Sequence, residues 1–190
     1  MKLADYGVRL LRVYEETIID GDGLRYSFYL SGCRHQCPFC QNPESWNPAI
    51  GQLLTDEVLE KHIQNILENP LLSGITLSGG DPFFNPTGLL ALLKILKGRT
   101  GANIWCYTGY TLESLARSSV LLAPLEYIDV LVDGPFIKEI RDQDIINEVN
   151  GGAELLFRGS SNQRIIYKPY VVATNWLERG GGDLRIEVPN

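Results

Sequence analysis

Apolar positions recur along the chain at two periods, and the alternation between them sets the first expectations. Over residues 55–70 the spacing is helical: Val58, Leu59, Ile63, Ile66 and Leu67 share one side. Thr55 is placed to cap this helix, Asp56 and Glu57 favour the positive end of its dipole, and Asn69-Pro70 closes it. A β-type run through Ile75-Thr76-Leu77 follows and enters a glycine turn. Asn85-Pro86 then opens a second helix carrying Leu89, Leu90, Leu92, Leu93 and Leu96, with proline at the first position where its missing N–H costs nothing. Asn103–Tyr107 reads as a strand, Thr111–Arg117 as a short helix and Tyr127–Val132 as another strand; upstream, Val8–Tyr14 and Leu24–Leu30 are strands.

Strands alternating with helices predict an α/β fold around a parallel sheet. A β/α/β unit takes about 30 residues and a closed eight-fold barrel about 250. The 190 residues therefore fit one domain of about six β/α steps, an incomplete and open barrel, with a flat doubly wound sheet as the alternative. Residues 165–190 are expected to form a C-terminal tail, in which Gly180-Gly181-Gly182 marks a turn.

Composition narrows the class. With 44% hydrophobic and 21% charged residues the chain can bury a core, and its net charge of −6 with dispersed basic residues argues against a nucleic-acid or membrane partner. No run reaches the roughly 20 apolar residues of a bilayer span, and Met1–Val13 is too mixed for a signal peptide, so a cytoplasmic location is expected.

Of four cysteines, Cys106 lies alone in an apolar stretch and reads as a buried thiol, whereas Cys33, Cys37 and Cys40 crowd one loop directly after a strand. Soft thiolates select zinc or iron–sulfur clusters. Structural zinc takes four protein ligands, usually as two spaced pairs, and only His35 is at hand as a fourth. A zinc-stabilised interaction module thus stays open as a non-enzymatic reading. A [4Fe–4S] cluster held by three cysteines would instead leave one iron free for a small molecule.

At this spacing, with Phe39 just before the last cysteine, the segment resembles the C-x₃-C-x₂-C signature of the radical S-adenosylmethionine (SAM) superfamily. The resemblance implies a partial β/α barrel of the radical SAM type, with Cys33, Cys37 and Cys40 on a [4Fe–4S] cluster whose open iron chelates SAM. The electron from the cluster would cleave SAM to methionine and a 5′-deoxyadenosyl radical. Phe39 and Gln41 would then line the adenine side of SAM. Gly79, Gly80 and Asp81 would form the glycine-rich segment at its methionine end, and Thr108 and Asp133, at later strand ends, would hydrogen-bond its ribose or amino acid end. A helix cap for Thr108 and a turn for Asp133 are the alternatives.

Longer segments narrow the resemblance: Asp20–Gly23, Gly32–Asn42, Leu77–Pro82, Trp105–Tyr110, Val130–Phe136 and above all Arg158-Gly159-Ser160-Ser161-Asn162-Gln163. Together they look like the activases of anaerobic ribonucleoside-triphosphate reductase. The likeness departs at Asp22, where relatives commonly have proline, and Gln143–Glu154 carries no transferable motif. What it implies is a protein substrate: a glycyl radical is generated on the large subunit of that reductase, with electrons from a low-potential donor such as flavodoxin or ferredoxin. No general acid or base is implied, since cluster and SAM carry the chemistry. Another glycyl radical enzyme or a small heterocycle is the alternative substrate.

Overall fold

A computed structural model describes residues 2–152 and 154–168. They build a mixed α/β fold around one seven-stranded open sheet in the order β3-β1-β2-β4-β5-β6-β7. The strands are β1 (Arg9–Thr17), β2 (Arg25–Leu30), β3 (Gln52–Leu53), β4 (Gly74–Gly79), β5 (Ile104–Tyr107), β6 (Val130–Asp133) and β7 (Arg164–Tyr167). Between them run the helices α1 (Asp56–Glu68), α2 (Pro86–Thr100), α3 (Leu112–Leu115), α4 (Ser119–Leu122) and α5 (Lys138–Val149).

The helix ends follow the sequence chemistry. Thr55 Oγ1 accepts from the Val58 amide at 3.3 Å and Asn85 Oδ1 from the Gly88 amide at 3.0 Å, each satisfying a donor the helix leaves orphaned.

Only the centre of the sheet is parallel. β2, β4, β5 and β6 pair side by side in one direction, β1 runs against β2 on one side with the short β3 antiparallel to β1 in turn, and β7 runs against β6 on the other. The chain thus makes three β/α crossovers, not the expected six. Only residues 18–24 separate β1 from β2, too few for the dozen or more a parallel crossover needs, so those strands must pair as a hairpin. At the other end, residues 138–163 are spent on α5 and a long loop that returns the chain antiparallel.

Register carries one apolar row across the sheet: Phe28, Leu77, Cys106, Leu131 and Ile166 stand side by side. Onto this face pack Leu59 and Ile63 of α1, Leu92, Leu93 and Leu96 of α2, and Leu112, Leu115 and Leu122 of α3 and α4, all buried in one cluster. Each fully buried Leu or Ile contributes about 1.5–3 kcal/mol. α1 to α4 therefore cover one face alone, whereas a doubly wound sheet covers both.

The opposite face is mixed. Arg25, Ser27, Thr76 and Trp105 are buried there. The Arg25 guanidinium donates to Thr76 Oγ1 at 3.1 Å, Asn103 Oδ1 at 3.1 Å and the Ile75 carbonyl at 2.6 Å. Burial without an ion-pair partner among those contacts pulls its pKa down to about 10. Among the described residues no helix is long and apolar enough to cross a membrane. Most of the expected tail, including Gly180–Gly182, lies outside the described residues, and its first residues belong to β7.

Candidate metal centre

The loop after β2 is pinned to the sheet by its backbone. The Gly32 amide donates to the Ser45 carbonyl at 2.7 Å, the Cys33 amide to Trp46 at 3.4 Å and the Asp81 amide to the Gly32 carbonyl at 2.8 Å. Gly80 is what lets the β4 end come this close. A Cβ there would stand 2.5 Å from the Gly32 carbonyl oxygen. Two loop residues, Gln36 (φ 47°) and Phe39 (φ 58°), adopt the left-handed backbone that side chains disfavour, and so does Phe157 (φ 59°) across the cavity.

Cys33, Cys37 and Cys40 line one cavity of about 480 Å³. Gln41, Gly79, Gly80, Asp81 and Thr108 line it with them, at the C-terminal ends of the parallel strands, where such sheets place their ligands. Phe39 and Asp133 do not. The Phe39 ring is 71% exposed with Lys138 Nζ 5.1 Å from its centroid. The Asp133 carboxylate is wholly buried and committed elsewhere: it accepts from the Leu112 amide at 2.7 Å and from Arg164 Nε at 2.9 Å and Nη2.

Asp81 accepts from four residues. His35 Nε2 approaches at 2.7 Å, the Phe83 amide at 2.9 Å, and Thr108 Oγ1 and the Gly109 amide at 3.1 Å. Burial pushes the Cys33 thiol up, opposed by the backbone N–H groups of His35 and Gln36. Burial pushes Cys37 up too, opposed by the Phe136 N–H. Three polar atoms of the lining residues are buried without a partner: Asp20 Oδ2, Trp46 Nε1 and Arg158 Nε. Unsatisfied groups cost about 1–3 kcal/mol each, so three residues of the cavity wall carry unmet hydrogen-bonding capacity behind its surface.

A family model described as a 4Fe-4S single cluster domain matches residues 19–166. The chain is 38% identical to the anaerobic ribonucleoside-triphosphate reductase-activating protein of Haemophilus influenzae over 160 residues, covering 82% of this chain and 95% of the relative. The activating proteins of that name from Vibrio cholerae and Escherichia coli K12 are 38% and 36% identical, over 80% and 79% of this chain and 93% and 92% of their own length. The chain belongs to this 4Fe-4S activating-protein family.

The donor set fits the cluster of that family. Among the described residues no three His, Cys, Asp or Glu side chains converge as a single metal ion requires. A multi-iron cluster asks for something else, because each thiolate bonds its own iron. Of the fourth donors that zinc would need, Cys106 is buried in the helix-covered core, and His35 joins no group of three metal-holding side chains among the described residues. Three thiols on one cavity wall remain, the donor count that leaves one iron open.

The Arg158–Gln163 segment, the most discriminating sequence element of the family likeness, is stitched to the loop after β6. Ser160 Oγ accepts from the Ile137 amide at 3.1 Å, Asn162 Nδ2 donates to the Pro135 carbonyl at 2.8 Å and Gln163 Nε2 to the Gly134 carbonyl at 2.9 Å. Gly159, Gln163 and Arg158 still face the cavity. Sequence reading assigned no role to Ile18, Ile19, Trp46, Arg141 or Leu156, which line it as well. The pair Ile18-Ile19 ahead of the Asp20–Gly23 turn carried a signal, two large apolar residues where a turn favours polar ones. Arg141, on a helix with no buried residue, carried none.

Proposed function

We propose that this one-domain chain is a radical SAM activase that generates a glycyl radical on the large subunit of anaerobic ribonucleoside-triphosphate reductase. Cys33, Cys37 and Cys40 would hold a [4Fe–4S] cluster, and SAM would occupy the adjoining cavity against Gln41, Gly79, Gly80 and Thr108. Bound there, cluster and SAM supply one-electron cleavage of the sulfonium bond and abstraction of a hydrogen atom from a glycine α-carbon.

The observation that carries this reading is the convergence of the three thiols with Gln41, Gly79, Gly80 and Thr108 on one cavity at the strand ends. The chain's own residues bind, orient and shield. Gly80 allows the cysteine loop to lie against β4, and the apolar side chains of Ile18, Ile19 and Leu156 at the cavity offer contact to a protein substrate. The parallel centre, with α1 to α4 on one face, is read as the partial barrel of the radical SAM type, its other face serving the cofactor. Electrons would come from flavodoxin or ferredoxin. A cytoplasmic site of action accords with four free cysteines, since thiols persist in that compartment.

Anaerobic reconstitution with iron and sulfide, followed by reduction with SAM and the reductase large subunit, tests the proposal. A cluster absorption band, 5′-deoxyadenosine and a glycyl radical in the electron paramagnetic resonance spectrum are the expected results. Stoichiometric zinc with no iron would overturn the radical reading, and SAM cleavage without a glycyl radical would overturn the choice of partner.

A further inference from the structure

His35 lies between two of the cysteines, and among the described residues it joins no group of side chains that could hold a metal ion. Its Nε2 meets Asp81 Oδ2 at 2.7 Å, and its ring packs edge-on against Tyr110 with centroids 4.5 Å apart. Because the Phe83 and Gly109 amides, which can only donate, also bond the Asp81 carboxylate, that group acts as the acceptor and the imidazole donates Nε2–H. Asp81 is 2% exposed, so this contact is shielded from water. The neighbouring strand end is shaped around the ring: a Cβ on Gly109 would stand 2.5 Å from His35 Cδ2 and 2.8 Å from Nε2.

We propose that His35, Asp81 and the bare backbone of Gly109 form a latch that seats the three-cysteine loop on the ends of β4 and β5 before any cluster is bound. His35 and Asp81 are positioning residues. The latch assigns the Asp81 carboxylate to the protein's own loop instead of to SAM. It rests on the reading of that loop as the ligand loop, but its action belongs to the cluster-free chain.

Hydrogen exchange on the full, cluster-free chain tests it. The Gly32 and Asp81 amides, whose bonds tie the loop to Ser45 and to Gly32, report loop release, and the β5 amides report the sheet. His35→Ala removes a charge-assisted hydrogen bond and should speed exchange at Gly32 and Asp81 by about tenfold or more, with β5 unchanged. His35→Gln, which keeps an N–H donor, should restore part of the protection. Gly109→Ala should release the loop from the other side by displacing the ring. In the His35→Ala background it should add nothing, because the atom it strikes is gone.

Unchanged exchange in both single variants would overturn the latch. So would acceleration that spreads equally to β5, or effects of the two substitutions that simply add. None of these measurements needs iron, SAM or reductase, so a failed latch and a failed radical activity are separable results.

Discussion

The ends of β4 and β6 look alike in sequence and behave differently in the fold. Each closes an apolar parallel strand with an aspartate, a glycine and a proline: Gly80-Asp81-Pro82 and Asp133-Gly134-Pro135. Both carboxylates are buried, at 2% and 0% exposure, and both had the same expected partner in SAM. Asp81 faces the cavity and collects donors from the cysteine loop and the β5 end. Asp133 lies off the cavity and collects donors from α3 and from Arg164 on β7. The local pattern establishes that a strand-end carboxylate will be buried and paired. Which donor reaches it is decided by residues about 20 to 50 positions away, so one end serves the site and the other anchors the return strand.

The largest effect expected of any substitution falls on the β4 side. Cys33→Ala, Cys37→Ala and Cys40→Ala should each reduce SAM cleavage to background, measured as 5′-deoxyadenosine formed by reconstituted protein. Retained cleavage in any of the three would remove that residue from the ligand set.

Next come substitutions that set the two strand ends against each other. Asp81→Asn turns one acceptor oxygen into a donor among four donor residues and should loosen the seat of the cysteine loop, lowering iron content per folded chain about 10- to 100-fold, the scale of one hydrogen bond to a charged group. Arg164→Met leaves the Asp133 charge buried, and should cost about 3–5 kcal/mol in chemical denaturation while the folded fraction still binds iron. If Arg164→Met empties the cluster from folded protein, the division of labour between the two ends is wrong.

A smaller, pH-dependent effect belongs to the β6 side. Arg164 hydrogen-bonds Glu113 through both oxygens, at 2.9 and 2.8 Å, and holds the Glu113 carboxyl down to about 2. A folded-state pKa below the ordinary value stabilises the fold above the ordinary range and loses that contribution as pH falls toward 2. The denaturation midpoint of the wild-type chain should therefore exceed that of Glu113→Gln at neutral pH, and the gap should close between about pH 5 and pH 2. A gap independent of pH would mean that the ion pair contributes nothing. Glu113 is 42% exposed in its side chain, so the effect will shrink in high salt.

Legibility in the sequence divides along the same line. Helices α1 and α2 were readable because their apolar residues repeat at helical spacing and their caps are chemically explicit, and the cysteine loop because three thiols in one loop have few uses. Helix α5 was not, since Ile145, Ile146 and Val149 stay exposed and mark no core-facing stripe. The hairpin of β1 and β2 was legible in the short connection of residues 18–24, but strand–helix alternation drew the eye to parallel pairing. Asp133 reads as a ligand contact in the sequence because a polar residue at a strand end suits either purpose. Only the three-dimensional placement of Arg164 shows which partner its carboxylate takes.

The smallest effect expected is also the sharpest check on the donor count. Cys106 stands on β5 in the apolar row facing the helices, with no exposed surface, and burial pushes its thiol well above the ordinary range. Its thiol makes a weak polar contact, Sγ to the Tyr107 carbonyl at 3.8 Å. Cys106→Ala deletes one buried atom and should cost about 1 kcal/mol, comparable with removing a methyl group from a packed core. Iron and sulfide per chain should be unchanged, because the strand's alternation turns this thiol away from the cavity face that Tyr107 shares. Loss of the cluster from a folded Cys106→Ala chain would mean that a fourth thiolate reaches the irons. The site would then be closed, and no iron would be left for SAM.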